Sequence, residues 1–531
     1  MKVDNLIKKF ILRVGKKNIC MWFAFFVYAI ISNFALITYL VPNADGIISF
    51  NYSETFGWDI ATGRWATFLV YGLRGGMTLP LFTSLICFAI FASCALMIVN
   101  LLRIKTTTFS ILAGIIFVSF PSITQYLTYF YMSDTLAYSF LLSILALAIK
   151  EKKYIKNTII RYIVVVCLMV FSISLYQAMI GLAICLYFAV VLVKSVKDNR
   201  NVKILFFDAV TFGVTCVAAL IIYFISVHAA CFVTGNPLAD YRGINDAANV
   251  TVTSIVNAIP NLYKTFYRFY FTDQYYAYKL WGVSAVFAIL FLIYILTEII
   301  WSISYIKKHR DRNAVLLVGF RILILILYPV ISTCIGVIAV NTAIDFKMLP
   351  QMILIILMIL SRIEKVEIKH SGYVQGFTLL AAIVVLYTNT AICHAIPEAM
   401  EWKKNATASL TNRVLSIIDS SEEYEKGMPV AILGSIQDSQ WYAINQKYFE
   451  RASADTSNWG MFWYNGQSGS QRSWAQYLNN FHGIYMNIVD DATATNIMQT
   501  DEFKDMPSIP QENATQVIDG VFVVKISDIN S

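Results

Sequence analysis

From Leu79 to Leu102 the chain reads LPLFTSLICFAIFASCALMIVNLL, 24 residues without a formal charge. A helix needs about 20 mostly apolar residues to cross the hydrocarbon of a bilayer. This run meets that requirement by itself. Ten more apolar runs flank it: Ile19–Leu40, Phe109–Leu127, Leu136–Ile149, two short runs inside Tyr162–Val193, Leu205–Val227, Leu280–Ile303, Val315–Val340, Leu349–Leu360 and Tyr373–His394. Tyr162–Val193 is too long for one crossing, and Ser172-Ile-Ser-Leu-Tyr-Gln-Ala178 interrupts it, so it reads as two spans joined by a tight turn. Composition agrees. Of 531 residues, 58% are apolar and only 14% charged, with 36 Phe and 31 Tyr, whereas soluble domains carry about 25% charged residues. The expected fold is an all-α polytopic membrane protein of about 11 transmembrane helices, which excludes a disordered chain and a small disulfide scaffold.

Basic residues stay on the cytoplasmic side of a membrane, and here alternate loops are basic. One set of loops holds 24 Lys and Arg, including Lys8, Lys9, Arg103, Lys152, Lys194, Lys307 and Arg362; the other holds seven. The N-terminus is therefore expected in the cytoplasm, and an odd span count puts the C-terminus outside. From Ala395 the chain turns polar, with 9 basic and 17 acidic residues. Two short apolar runs, Pro429–Gly434 and Gly520–Lys525, have the look of buried strands. The expected organisation is a multi-span domain over 1–394 and a small extracytoplasmic α/β domain over 395–531. None of the 9 cysteines lies in that tail and no CxxC occurs, which suits a bacterial cell membrane. The net charge of +8 is a sum of topology signals and an acidic tail, and implies no nucleic-acid partner.

The outward loops hold the candidate chemistry. Asp45 follows a span directly, where low-dielectric surroundings can raise a carboxylate's pKa and suit it to act as a general base. Arg64, in Gly63-Arg64-Trp65, has the guanidinium fork that matches phosphate oxygens. Asp134 opens a span after the aromatic stretch Tyr126–Met132 and would share a pocket with Asp45, as orienting acid or as part of a metal site. Tyr176 and Gln177 lie on the tight turn at the floor of that pocket. Val252, Ile255, Ile259, Leu262, Phe266 and Phe269 recur at helical spacing with Arg268 on another face, the pattern of an interfacial amphipathic helix. Lys347 sits beside Asp345 in a short loop where it could meet a phosphate. Arg321 falls inside a span, with Glu298 or Asp208 as possible structural partners. The same residues admit plainer readings: a turn at Asp45-Gly46, a snorkelling Arg64, a helix cap at Asp134 and an aromatic membrane belt. No H-E-x-x-H, P-loop or G-x-S-x-G is present.

The order of Asp45, Gly63-Arg64-Trp65, Leu79-Pro-Leu-Phe-Thr83, Phe120-Pro121, Tyr129–Leu136 and Ser174-Leu-Tyr-Gln-Ala178 resembles the Gtr-type, serotype-converting O-antigen glucosyltransferases of the GT-C class of membrane glycosyltransferases. The likeness runs over roughly the first 360 residues. It implies a GT-C-like enzyme that takes glucose from a polyprenyl-phosphate-linked donor within the bilayer and adds it to a cell-surface glycan acceptor outside the membrane. Asp45 then matches the first-loop acid, the general base, and Asp134 the acid after the aromatic stretch. Arg64, Tyr176 and Gln177 match the Gly-Arg and Tyr-Gln motifs, with Trp65, Arg268 and Lys347 completing the expected substrate-binding set. The family often has paired acids where this chain has Ala44-Asp45. The partner carboxylate is then Asp134, Glu54 or Asp59, or is absent, and a divalent metal stays an open possibility. The competing function is a lipid-linked glycan flippase or polysaccharide transporter, which would show repeat symmetry and charge along both halves of the bundle.

Overall fold

The computed structural model describes residues 15–49, 52–152, 154–197, 201–239, 251–272, 282–338, 344–366, 371–441 and 470–528. Eight described helices are long and apolar enough to cross a membrane: Pro80–Leu101, Ser133–Lys152, Thr158–Leu175, Met179–Val196, Val202–Thr234, Val283–His309, Arg312–Ser332 and Ser371–Ser420. Two further runs are bent. Lys16–Ser32 meets Phe34–Ile47 at 62°, and Thr107–Val118 meets Pro121–Leu127 at 42°. Pro350–Ile363 is apolar but shorter. Every apolar run of the sequence thus has its helical counterpart, while full-length crossings among the described residues number eight, or ten with the bent pairs. The run expected over Leu136–Ile149 gains length at both ends; that at Leu349 stays short. The protein is a multi-pass helical membrane protein. The basic residues Lys8, Lys9 and Arg13, and the aromatic run beyond Thr272, lie outside the described residues.

Local chemistry sets the bends. At the second, Phe120 is extended (φ −70°, ψ 124°) because Pro121 disfavours the helical region for the residue before it. At the first, Asn33 leaves the helical region and its amide donates to Ala29 O (3.0 Å), while its Oδ1 accepts from Thr124 Oγ1 (2.6 Å). The two bent runs are therefore fastened together at their breaks. Between Thr158–Leu175 and Met179–Val196 only three residues intervene, with Tyr176 extended (φ −158°, ψ 115°). This is the expected tight turn.

The polar tail is built on a three-stranded sheet of order β1-β3-β2, with β1 Val430–Leu433, β2 Thr515–Ile518 and β3 Val521–Lys525. β1 and β3 are parallel, Val430 opposite Phe522, and β2 is antiparallel to β3. Side chains of a strand alternate between faces, and both faces are covered here. Val430, Ile432, Phe522 and Val524 pack with Leu410, Val414, Ile418 and Trp474. Ala431, Leu433, Val521 and Val523 pack with Ala494, Ile497 and Phe503. That explains the unbroken apolar runs seen in the sequence. Leu410, Val414 and Ile418 belong to the helix Ser371–Ser420, which runs through Ala395 without a break. The change of composition therefore falls within one continuous helix.

At the far end of Pro350–Ile363, Glu298 is the centre of a buried charge cluster. It accepts from the Arg321 guanidinium and from Arg362 Nε (2.6 Å), and Arg321 also donates to Leu192 O and Ser195 Oγ. Arg321 is thus a structural charge joining four segments. Removing one partner from a buried ion pair strands the other, which costs about 3 kcal/mol or more. Glu298→Gln strands two guanidinium groups, whereas Arg321→Met leaves Glu298 paired with Arg362. Thermal unfolding in detergent should show Glu298→Gln as the more damaging of the two.

Candidate active site

The loop between the first two apolar runs folds as three short helices. Asn43 caps Ala44–Ile48 by accepting from Gly46 N (2.8 Å), which fixes Asp45 in the first helical turn, half-buried. On the next loop the Tyr131 phenol is pushed well above its usual range by burial and then by the Asp45 charge.

Tyr52–Ala61 ends in a turn that needs a glycine. Gly63 has φ +77°, and a Cβ there would lie 2.4 Å from Tyr223 Oη. Tyr223 donates to Gly63 O (3.1 Å), and the Gln177 amide donates to Thr62 O (2.6 Å) and Tyr223 Oη (3.0 Å). The Tyr-Gln turn between the two short spans therefore grips the Gly-Arg turn of the first loop. Arg64 lies over the Tyr176 ring at 5.7 Å. Trp65 turns the other way, donating to Ser226 Oγ (2.9 Å) and packing on Phe171.

The third helix, Thr67–Leu73, presents Thr67 and Tyr71 inward and leaves Phe68, Leu69 and Leu73 exposed. Asp59 is buried beneath it and accepts from Thr67 Oγ1 (3.2 Å). Burial pushes Asp59 up to about 6, opposed by the Arg64 charge and by hydrogen bonds from Thr67 and Tyr71. Arg74, next along, forms a buried ion pair with Asp134 (Nε to Oδ2 3.1 Å), stacks over Tyr71 at 4.8 Å, and donates to Met77 O (2.7 Å) and Tyr131 O. Tyr71 and Arg74 line a narrow crevice with Ser49, Thr55, Gly76, Thr78 and Tyr131. Asp134 also accepts from Thr135 N (3.0 Å) in the first turn of Ser133–Lys152.

A second cation approaches from the segment before Pro350–Ile363. Lys347 Nζ donates to Tyr129 Oη (2.5 Å), lies over that ring at 4.9 Å and pairs with Asp345 (3.3 Å). Its carbonyl accepts from Tyr126 Oη, and the Tyr126 ring meets Tyr176 edge-on at 5.8 Å. Asp45, Arg64, Asp134, Tyr176, Gln177 and Lys347, 302 positions apart at the extremes of the sequence (45 to 347), are thus linked through contacts and, for Asp45, through its charge on Tyr131. Arg268 is half-buried on the expected helix, Val252–Phe271, whose next residues reach this region: Phe269 packs on Phe346, and Tyr270 Oη donates to Met352 O (2.6 Å). Tyr71, Arg74 and Tyr131 are site residues that sequence reasoning passed over. Arg74 had one available signal: with Arg64, it is one of two arginines in a first loop that has no lysine.

Among the described residues, no three His, Cys, Asp or Glu side chains gather as a metal centre would require. Asp134 and Asp59 each face an arginine, and the side chain of Glu54 lies outside the described residues.

The fold is that of a multi-pass helical membrane protein in which loop residues gather a charged, aromatic-lined cluster. The family described as Glucosyl transferase GtrII matches residues 34–360. The chain belongs to that family, and is a membrane glucosyltransferase by membership. No curated protein and no solved structure gives a significant match.

Two substitutions test how the site is held. Asp59 has a higher pKa folded (about 6) than its ordinary 3.8, so the folded state binds the proton more tightly. Its contribution to stability therefore falls as pH rises from about 4 to 6 and stays low above that, by up to about 3 kcal/mol. Asp59→Asn should raise the melting temperature relative to wild type increasingly from pH 4 to pH 7; a pH-independent difference would refute this. Gly63→Ala combines a positive φ with the Tyr223 collision and should cost roughly 1–3 kcal/mol, read as a lowered melting temperature.

Proposed function

We propose that the protein transfers glucose, or a related hexose, from a polyprenyl-phosphate-linked donor to a cell-surface polysaccharide on the outer face of a bacterial cell membrane. In this reading the bundle carries the N-terminus in the cytoplasm and 395–531 outside. The observation that carries it is the convergence of Asp45, Arg64, Asp134 and Lys347 within the family-matched segment.

The chemistry follows from where charge must go. The carboxylate of Asp45 accepts the proton of an acceptor hydroxyl, whose oxygen attacks the anomeric carbon. The bond from that carbon to the phosphate oxygen breaks, and the lipid phosphate leaves with the electron pair. Arg64 and Lys347 meet the growing negative charge on the phosphate, helped by low-dielectric surroundings that strengthen such attraction. Arg268 flanks the substrate path, Tyr176 and Gln177 form its floor, and Trp65 braces the Gly-Arg turn from the other side. Asp134 keeps Arg74, and through it the first loop, in place. One displacement inverts the anomeric centre. No step requires a cofactor.

Purified protein in nanodiscs with polyprenyl-phosphate-glucose and surface polysaccharide from cells lacking the protein provides the test. Wild type should transfer glucose with inversion. Asp45→Asn should lower turnover roughly 100-fold or more, the usual loss for a general base. Full activity in that variant removes Asp45 from the base role, and retained configuration rules out single displacement. Movement of lipid-linked glycan without transfer favours the flippase.

A further inference from the structure

The helix Ser470–Tyr477 belongs to the polar tail but touches the site. On one side Gln471 is fully buried and its amide group bonds both Ile432 N (3.3 Å) and Ile432 O (2.7 Å) on β1, while Trp474 packs in the sheet's core. At its end Tyr477 packs on Ile47, two residues from Asp45, and both side chains are buried. This helix is a strut between the tail's sheet and the helix that carries Asp45.

The chain just beyond the strut has an unusual surface. Past Trp402, the exposed large apolar side chains among the described residues are Phe481 and Tyr485 alone, Tyr485 at 90% exposure. Phe481 stacks on Tyr477 at 5.7 Å, and His482 meets the same ring at 4.9 Å. The turn that holds them, Leu478–His482, is a π-helical one, a geometry found often at functional sites. Asn479 is exposed on it. From Ser473 to Val489 there is no Asp, Glu, Lys or Arg, although the tail as a whole has 17 acidic and 9 basic residues. Partial burial also pushes His482 down, towards its neutral form.

We infer that Phe481 and Tyr485, with Asn479 between the strut and Tyr485, form a saccharide-binding subsite that presents the acceptor glycan to Asp45. An aromatic face covers the C–H face of a sugar ring, and an amide can both donate to and accept from its hydroxyls. A charged or lipid ligand would want cations or a broad apolar face, and this run offers neither. The inference rests on the glucosyltransfer reading and adds to it where the acceptor lies.

The test uses full-length protein in nanodiscs, with surface polysaccharide extracted from cells lacking the protein as probe. The double variant Phe481→Ala/Tyr485→Ala should raise the acceptor KM roughly tenfold, the worth of about one well-stacked ring, and leave kcat and the donor KM near wild type. Tyr485→Trp should keep the wild-type KM, and Tyr485→Leu should not, because leucine keeps apolar area but no ring face. Unchanged acceptor KM in the double variant overturns the inference, and so does full rescue by leucine, which would mark Tyr485 as a membrane anchor. Direct binding of the polysaccharide to Asp45→Asn protein, with and without the double substitution, separates the two claims. Binding lost with the rings while wild type fails to transfer keeps the subsite and sinks the reaction. Transfer with ring-independent binding does the reverse.

Discussion

The buried pair of Arg74 and Asp134 is the contact on which the candidate active site depends. Arg74 is on the first loop and Asp134 at the mouth of a spanning helix. With both side chains less than a tenth exposed, neither charge can turn to water if the other is lost, so separating them is strongly opposed. The same guanidinium also takes the Tyr131 and Met77 carbonyls and stacks on Tyr71. One side chain thereby ties together the loop that bears Asp45 and Arg64, the aromatic stretch before Asp134 and the helix that follows. The entropy of a loop of nearly 40 residues opposes any single arrangement, and this pair acts with the Gln177 grip on Thr62 and the Tyr477 contact on Ile47 to hold one.

The cations of the site share a mode of attachment. Arg64 lies over Tyr176, Arg74 over Tyr71 and Lys347 over Tyr129. An aromatic face attracts a cation without cancelling its charge. Arg64 also meets the Asp59 charge and Lys347 pairs with Asp345 (3.3 Å), so each of these cations is held by a ring and a carboxylate together. The far end of the bundle holds its cations in the same way, with Arg321 over Trp301 and Lys150 over Tyr187. There Glu298 neutralises Arg321 and Arg362, and Lys150 bonds both oxygens of Asp208 at 2.9 Å. Charges there are consumed in packing.

Much of this was legible in the sequence, for identifiable reasons. Apolar runs predict helices because the bilayer requires every backbone group to be bonded within its own segment, and each run found its helix. The strands at Val430 and Val521 were legible because a sheet covered on both faces has no polar alternation to hide it. The Tyr176-Gln177 turn was visible as polar residues amid an overlong apolar stretch. What the sequence concealed were relations across long separations. Nothing in the local pattern ties Gln177 to Thr62, Tyr126 to Lys347 or Tyr477 to Ile47. Arg74 looked like one more loop cation because its worth lies in Asp134, 60 positions on. The helix Ser371–Ser420 hid its continuity for a different reason: its first half is apolar and its second polar, so composition suggested a boundary that the backbone ignores.

That continuous helix changes how the tail relates to the bundle. Its early turns are buried in the bundle through Ala382, Val385 and Ile392, and its last turns supply Leu410, Val414 and Ile418 to the core against β1 and β3. A second connection, the strut Ser470–Tyr477, leaves the same core and ends on Ile47. A body attached by one linker is free to swing, whereas one attached at two separated points must move with what it is attached to. The tail is therefore coupled to the position of Asp45. In the proposed reaction a lipid-borne donor and a polymeric acceptor would meet at that carboxylate. On that proposal, a tail attached through both Ser371–Ser420 and the strut would hold its surface in a fixed relation to the helix that carries Asp45.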